Sequence, residues 1–154
     1  MLSPDLLDFI VLLNECGVEC VLVGGYALGV HGVIRATGDI DFFFRRTRKN
    51  VARLCRAMEA FGAPEDIIDA EVLLTPEMIV HFGQPPNRID LLNAIDGVSF
   101  EEVWAGASIN DLSGQQLHVI GLGELRKNKR ATGRTKDAAD LKRLATLSRR
   151  KRRS

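Results

Sequence analysis

Residues 21–44 read VLVGGYALGVHGVIRATGDIDFFF, and this stretch decides the fold. The apolar, β-branched residues of 19–23 predict a short strand that runs straight into Gly24 and Gly25. The run of apolar residues over 40–44 predicts a second strand, which is too apolar to be anything but buried. Two strands therefore form the centre of the fold, and one of them ends on a pair of glycines.

Two acids stand at the head of the second strand. Side chains alternate along a strand, so Asp39 and Asp41 leave the same face while Ile40 enters the other. The two residues lie about 6.6 Å apart along the chain, which lets their oxygens converge on one ion. Their mutual repulsion raises each pKa unless a cation neutralises them. An isolated Asp-x-Asp is more often a solvated pair, so a metal site needs further support.

A third acid strengthens the case for a metal site. Asp90 lies in Ile89-Asp90-Leu91-Leu92, which has a similarly apolar setting. If this segment is a strand beside the first, three carboxylates meet at one sheet edge. Such a cluster suits one or two Mg²⁺ ions, or Mn²⁺, which activate an incoming hydroxyl and hold a triphosphate for in-line attack.

The residues before the acids are suited to phosphate. Gly24 and Gly25 let backbone N–H groups approach phosphate oxygens at the start of a short helix over 26–31. Arg35 and Thr37 add a charge and a hydroxyl shortly before the first Asp. A lone Gly-Gly is more often a simple turn, so this interpretation depends on the acids that follow.

The other segments predict helices and strands in alternation. Ser3 and Pro4 form a helix-start signal, and Ser99 caps a second short helix. Further elements are predicted by periodicity and turn residues: a helix over 50–61, strands over 78–82 and 88–92, a hairpin from strands over 108–111 and 117–120, and closing helices over 121–131 and 135–147.

Length and charge restrict the class of protein. The 154 residues, with 45% hydrophobic and 27% charged, fit one soluble domain over 1–147 with a basic, disordered tail over 148–154. The longest apolar runs are too short for a membrane span, which predicts a cytoplasmic protein without a membrane partner. Residues 1–123 have a net charge of 8 − 17 = −9, whereas 124–154 have 13 − 3 = +10. A basic end on an acidic body favours a polyanionic partner such as RNA.

Three longer motifs together resemble a known family. VGGYALGVHGVIRATGDID, PNRIDLLNAIDGVSFEEVW and NKRATGRTKDAADLKRL cover most of the chain from residue 23 to 144. They are similar to the DNA polymerase β-like nucleotidyltransferase superfamily, specifically its small bacterial members, which include abortive-infection and toxin–antitoxin proteins. The resemblance implies an α+β nucleotidyltransferase fold: a small mixed β-sheet of four to six strands, flanked by helices mainly on one side.

The resemblance also implies roles for single residues. Asp39, Asp41 and Asp90 would be the catalytic metal ligands, with Asp90 also a candidate base. The residues implied to bind the nucleotide and its phosphates are Gly24, Gly25, Tyr26, Arg35, Thr37 and Lys129. Lys129 would either reach the triphosphate or stabilise the closing helices. The superfamily commonly has Ser where this chain has Tyr26, which puts phosphate binding through that side chain in doubt.

The predicted function is metal-dependent transfer of NMP from an NTP to a hydroxyl. The basic end favours tRNA or another RNA as acceptor, with a protein side chain as an alternative. A toxin of a toxin–antitoxin pair, with a cognate antitoxin as partner, is the predicted physiological role. Two alternatives stay open: a catalytically inactive binding module that acts as antitoxin or adaptor, and a nucleotidyltransferase that modifies an antibiotic or a sugar.

Overall fold

The computed structural model describes residues 2–34 and 36–153, without the side chains of 151–153. The strands are β1 (Cys20–Val23), β2 (Asp39–Phe44), β3 (Ile79–Phe82), β4 (Arg88–Leu92), β5 (Ser108–Leu112) and β6 (Gln115–Val119). The helices are α1 (Pro4–Glu15), α2 (Gly24–Val30), α3 (Arg48–Phe61), α4 (Ala70–Leu74), α5 (Phe100–Gly106), α6 (Leu122–Thr132) and α7 (Thr135–Arg153), with a 3₁₀ turn at Glu65–Ile67. The predicted α+β class is confirmed.

One mixed sheet holds all six strands in the order β3-β4-β2-β1-β6-β5. Strands β2 and β4 are parallel, as are β1 and β6, and every other neighbouring pair is antiparallel. The predicted hairpins are present as β3-β4 and β5-β6. Because β2 lies between β1 and β4, the glycine pair that follows β1 and the acids of β2 and β4 belong to neighbouring strands.

Both faces of the sheet are covered by helices, which corrects the expectation that helices pack mainly on one side. The reason lies in β2, where Phe42, Phe43 and Phe44 are all buried. Successive strand residues point to opposite faces, so such a run needs cover on both. Phe42 packs against Phe9 of α1 on one face, and Phe43 packs edge-on against Phe100 of α5 on the other. The three rings are core residues.

Local signals account for the helix ends. Ser3 caps α1 by accepting a hydrogen bond from the Leu6 N–H, with Pro4 in the first turn. Ser99 and Glu102 form a reciprocal capping box at the start of α5.

Helix α7 continues to Arg153, so residues 148–153 of the expected tail are helical here. The domain boundary at residue 147 stays a prediction.

Candidate active site

The three predicted acids meet on β2 and β4. The parallel register places Asp41 opposite Asp90, and Ile40 points into the core on the other face. One oxygen from each of Asp39, Asp41 and Asp90 lies within 4.8 Å of the others. The sequence predicted this meeting only on the condition that the two strands are neighbours, and the structure meets that condition.

The carboxylates form one wall of a cavity of about 600 Å³, the active-site cavity. Its other walls come from the glycine pair after β1, the segment before β2, the end of β4 and the closing helices. The lining residues used below are Gly24, Gly25, Thr37, Asp39, Asp41, Arg88, Asp90, Lys129, Arg134 and Lys136. The cavity is thus acidic at the sheet and basic where α6 meets α7.

Gly24 has no side chain, and the Asp41 carboxylate occupies the space where one would lie. Its φ is +72°, a left-handed backbone that glycine adopts without strain. A Cβ at this position would lie 2.0 Å from Asp41 Oδ2, so any side chain would push the carboxylate away. A Cβ at Gly25 would lie 3.0 Å from Thr37 Oγ1. The glycine pair therefore brings the backbone at the start of α2 directly against the acids.

Arg88 is a site residue that the sequence analysis missed. Its Nε donates to Asp90 Oδ1 at 2.9 Å, and one terminal nitrogen donates to both Asp90 Oδ2 and Asp39 Oδ2 at 3.0 Å. The guanidinium therefore bridges two of the three acids. Strand alternation from Asp90 places Arg88 on the same face, and this signal was readable in the sequence.

The three acids have different proton affinities. Burial, aided by the charges of Asp39 and Asp90, raises the pKa of Asp41 to about 8. Burial also raises the pKa of Asp90, although hydrogen bonds from Arg88 oppose the rise. For Asp39, burial acts in the same direction but is outweighed by interactions with Asp90, Thr37 and Arg88, which hold its pKa below the usual range. Asp41, which Arg88 does not bridge, is therefore the carboxyl of the cluster that holds a proton most readily.

The remaining predicted phosphate ligands occupy different positions. The Thr37 hydroxyl donates to Asp39, to its carbonyl oxygen at 3.0 Å and to Oδ1 at 3.2 Å, so it orients a cluster residue. Tyr26 is half-buried, and burial together with the Asp39 charge raises the pKa of its phenol. Arg35 lies outside the described residues. The phosphate-binding roles of all three stay predictions.

Lys129 joins the two closing helices. It is buried, and its Nζ lies 3.0 Å from Asp137 Oδ1 and 3.1 Å from Asp140 Oδ2. The Arg134 Nε donates to Asp137 Oδ2 at 2.7 Å. Burial opposes ionisation, but hydrogen bonds from Arg134 and Lys129 hold the pKa of Asp137 below its usual range. These contacts link α6 to α7, as a role in stabilising the closing helices requires, but that role and contact with a triphosphate both stay predictions.

The fold and the site agree with one class of protein. A mixed six-stranded sheet that brings three carboxylates to a glycine-walled cavity is consistent with a nucleotidyltransferase-like domain. A family model described as "nucleotidyl transferase of unknown function" matches residues 3–154. The chain belongs to that family, which agrees with the resemblance of its sequence motifs to small nucleotidyltransferases. No curated protein matches the chain.

A membrane span is not found in the part of the chain that the structure describes, since none of its helices is both long and apolar enough to cross a bilayer.

Proposed function

We propose that the protein transfers NMP from a nucleoside triphosphate to a hydroxyl and releases pyrophosphate. The observation that carries the proposal is the carboxylate cluster of Asp39, Asp41 and Asp90 beside the Gly24-Gly25 backbone in one cavity. Membership of a nucleotidyltransferase family supports the same reaction.

The donor set fits a divalent cation. Three carboxylates within 4.8 Å of one another offer the hard oxygen ligands that Mg²⁺ and Mn²⁺ prefer. Burial, and after it the charges of Asp39 and Asp90, raises the pKa of Asp41, so a cation at the cluster would stabilise its charged form. Asp39, Asp41 and Asp90 would hold the ion. When bound, it would polarise the α-phosphate and lower the pKa of the attacking hydroxyl.

The chain's own groups would do the rest of the chemistry. The acceptor oxygen forms a bond to the α-phosphorus, and the bond from that phosphorus to the bridging oxygen of pyrophosphate breaks. The hydroxyl proton goes to a nearby carboxylate, for which Asp90 is the candidate that the family resemblance implies. Arg134 and Lys136 line the cavity and would attract the departing pyrophosphate.

The charge distribution of the chain favours RNA as the acceptor. Residues 124–154 have a net charge of +10, and three of their cations, Lys129, Arg134 and Lys136, line the cavity itself. RNA supplies both a terminal hydroxyl and the negative charge that such a surface attracts. A toxin that inactivates tRNA or another RNA, controlled by a cognate antitoxin, is the physiological role we propose.

Two alternatives make different predictions. An inactive binding module would bind a partner without needing the cluster, although like charges held together on apolar strands are costly to keep without a use. The substitution of Tyr26 for the usual Ser favours this alternative. A nucleotidyltransferase acting on an antibiotic or a sugar would need the cluster but not the basic C-terminal residues.

A thermal-shift titration tests the proposal. Wild type and Asp39→Asn/Asp41→Asn are titrated with each of the four NTPs, with and without Mg²⁺ or Mn²⁺. A ligand at a hundredfold excess over its Kd stabilises the native state by about 2.7 kcal/mol, which is easily detected in a domain of this size. Asp8→Asn/Asp66→Asn is the matched control, because both acids are exposed and lie outside the cavity lining.

The result expected is a metal-dependent shift that the control retains and the cluster variant loses, although that variant still folds. Labelled NTP would then show transfer to RNA by wild type alone. Transfer activity retained in full by Asp39→Asn/Asp41→Asn would refute the metal assignment. No shift with any nucleotide would favour the binding module.

A further inference from the structure

A second cavity lies along the same two chain segments as the active-site cavity. This basic groove, of about 410 Å³, is lined on one side by residues 32–34 and on the other by α7, with Lys142, Arg143 and Arg150. Residues 36–38 of the same loop line the active-site cavity, as does Lys136 at the start of α7. The loop packs against the helix, since a Cβ at Gly32 would lie 3.4 Å from Leu147 Cδ1. The same loop and the same helix therefore line both cavities.

Three cations of α7 line the two cavities, Lys136 the active-site cavity and Arg143 and Arg150 the basic groove. Lys136, Arg143 and Arg150 are spaced by seven residues, which places them on one flank of an α-helix. All three are exposed. From the first to the last, the helix rises about 21 Å, the length of about six phosphates of a stacked strand at ~3.4 Å each. The flank is thus a row of positive charges that leads out of the active-site cavity.

The groove also offers an apolar surface. Ile34 is 85% exposed, and its neighbours in the groove include Val33 and Leu147. A strand with unpaired bases presents phosphates to cations and flat base faces to apolar side chains, which matches the chemistry of this groove. An acidic peptide would satisfy the cations but would not need the exposed Ile34.

We infer that the basic groove and the Lys136, Arg143 and Arg150 flank of α7 bind single-stranded RNA and lead its terminal hydroxyl into the active-site cavity. This inference rests on the proposed function for its account of why the RNA end is delivered there. Binding itself needs neither nucleotide nor metal, so it is measured separately from transfer.

The test is fluorescence anisotropy with a labelled single-stranded RNA of about twelve nucleotides. Arg143→Ala/Arg150→Ala is compared with Lys49→Ala/Arg56→Ala, which removes two exposed positive charges from α3, away from both cavities. Titrations run between about 50 and 200 mM KCl without NTP or divalent metal. Thermal unfolding of each variant verifies that the fold is kept.

We expect the groove variant to bind roughly tenfold more weakly, because two ion pairs are lost. Each phosphate contact contributes about 0.7 to the slope of log K against log salt, so the slope should fall by about 1.4. The α3 control should match wild type in both measurements. Ile34→Ser should weaken binding without changing the salt slope, since it removes only an apolar contact.

Equal losses in the groove variant and the α3 control would overturn the inference, because binding would then follow net charge alone. Unchanged binding by the groove variant would also overturn it, as would binding of an acidic peptide in preference to the RNA. RNA binding at the groove without nucleotide binding would refute the proposed function but not this inference. Transfer to a small molecule without RNA binding would refute this inference but not nucleotidyl transfer.

Discussion

Replacing Gly24 by alanine is expected to disrupt the carboxylate cluster while the fold is kept. The added Cβ would lie 2.0 Å from Asp41 Oδ2 and 3.0 Å from its Cγ, so the carboxylate must turn away. Asp41 would then leave Asp39 and Asp90, and the cluster would lose one of its three ligands. We expect Gly24→Ala to lose metal-dependent stabilisation by NTP.

The matched control is Gly17→Ala. Gly17 has φ +69°, close to the +72° of Gly24, but no atom lies within 4 Å of the position of its Cβ. A left-handed backbone costs alanine about 1–2 kcal/mol, so both variants should lose that much in urea unfolding. The further loss in Gly24→Ala measures the displacement of Asp41. It should stay near 1 kcal/mol, because only the end of one side chain must rotate.

The assay is thermal shift with NTP and Mn²⁺ for wild type and both alanine variants. Gly17→Ala should respond like wild type after correction for its lower starting stability, whereas Gly24→Ala should not respond. The reasoning is refuted if Gly24→Ala keeps the full metal-dependent response. It is equally refuted if Gly17→Ala loses it, since backbone strain alone would then explain the loss.

Three further predictions follow from the same contacts. Arg88→Met removes a cation from the acid cluster, so Mn²⁺ should bind more tightly in calorimetry while transfer slows. Arg88→Lys, which keeps the positive charge, should stay near wild type. Weaker Mn²⁺ binding by the Met variant would contradict this prediction. Because the pKa of Asp41 is about 8, protons compete with the metal, and Mn²⁺ affinity should rise from about pH 6 to about pH 8. The metal-free protein should lose stability over the same increase in pH, since folded Asp41 holds a proton that the unfolded chain releases. A pH-independent affinity would count against this reading. Asp137→Asn should destabilise the fold by about 2 kcal/mol in urea unfolding by weakening the partners of buried Lys129. Since the folded pKa of Asp137 is lowered, its contribution is present above the usual carboxyl range and is lost as the pH falls through the folded value, so the difference from wild type should disappear in acid.

Local sequence patterns were enough for most of the elements, although not for α4 or the 3₁₀ turn before it, and for the acids of the candidate site. Alternation placed Asp39 and Asp41 on one face with Ile40 in the core, and the capping residues Ser3 and Ser99 begin the helices that they predicted. These features depend on residues within a few positions of one another, so a single chain segment contains the information. The glycine pair was also recognised as a point of close approach, although the group that it approaches, Asp41, was not.

Only the tertiary structure decided which distant groups meet. The parallel register that sets Asp41 opposite Asp90 joins residues 49 positions apart, and no local pattern determines such a pairing. Alternation already places Arg88 on the same face as Asp90, but the bridge from Arg88 to Asp39 depends on that same register. The partners of Lys129 depend on how α6 folds back on α7. The sequence by itself therefore determined which side chains carry charge and which face they leave, because alternation and helical periodicity are local. Which charges neutralise one another was decided by strand order and helix packing, because those contacts form only when the whole core is assembled.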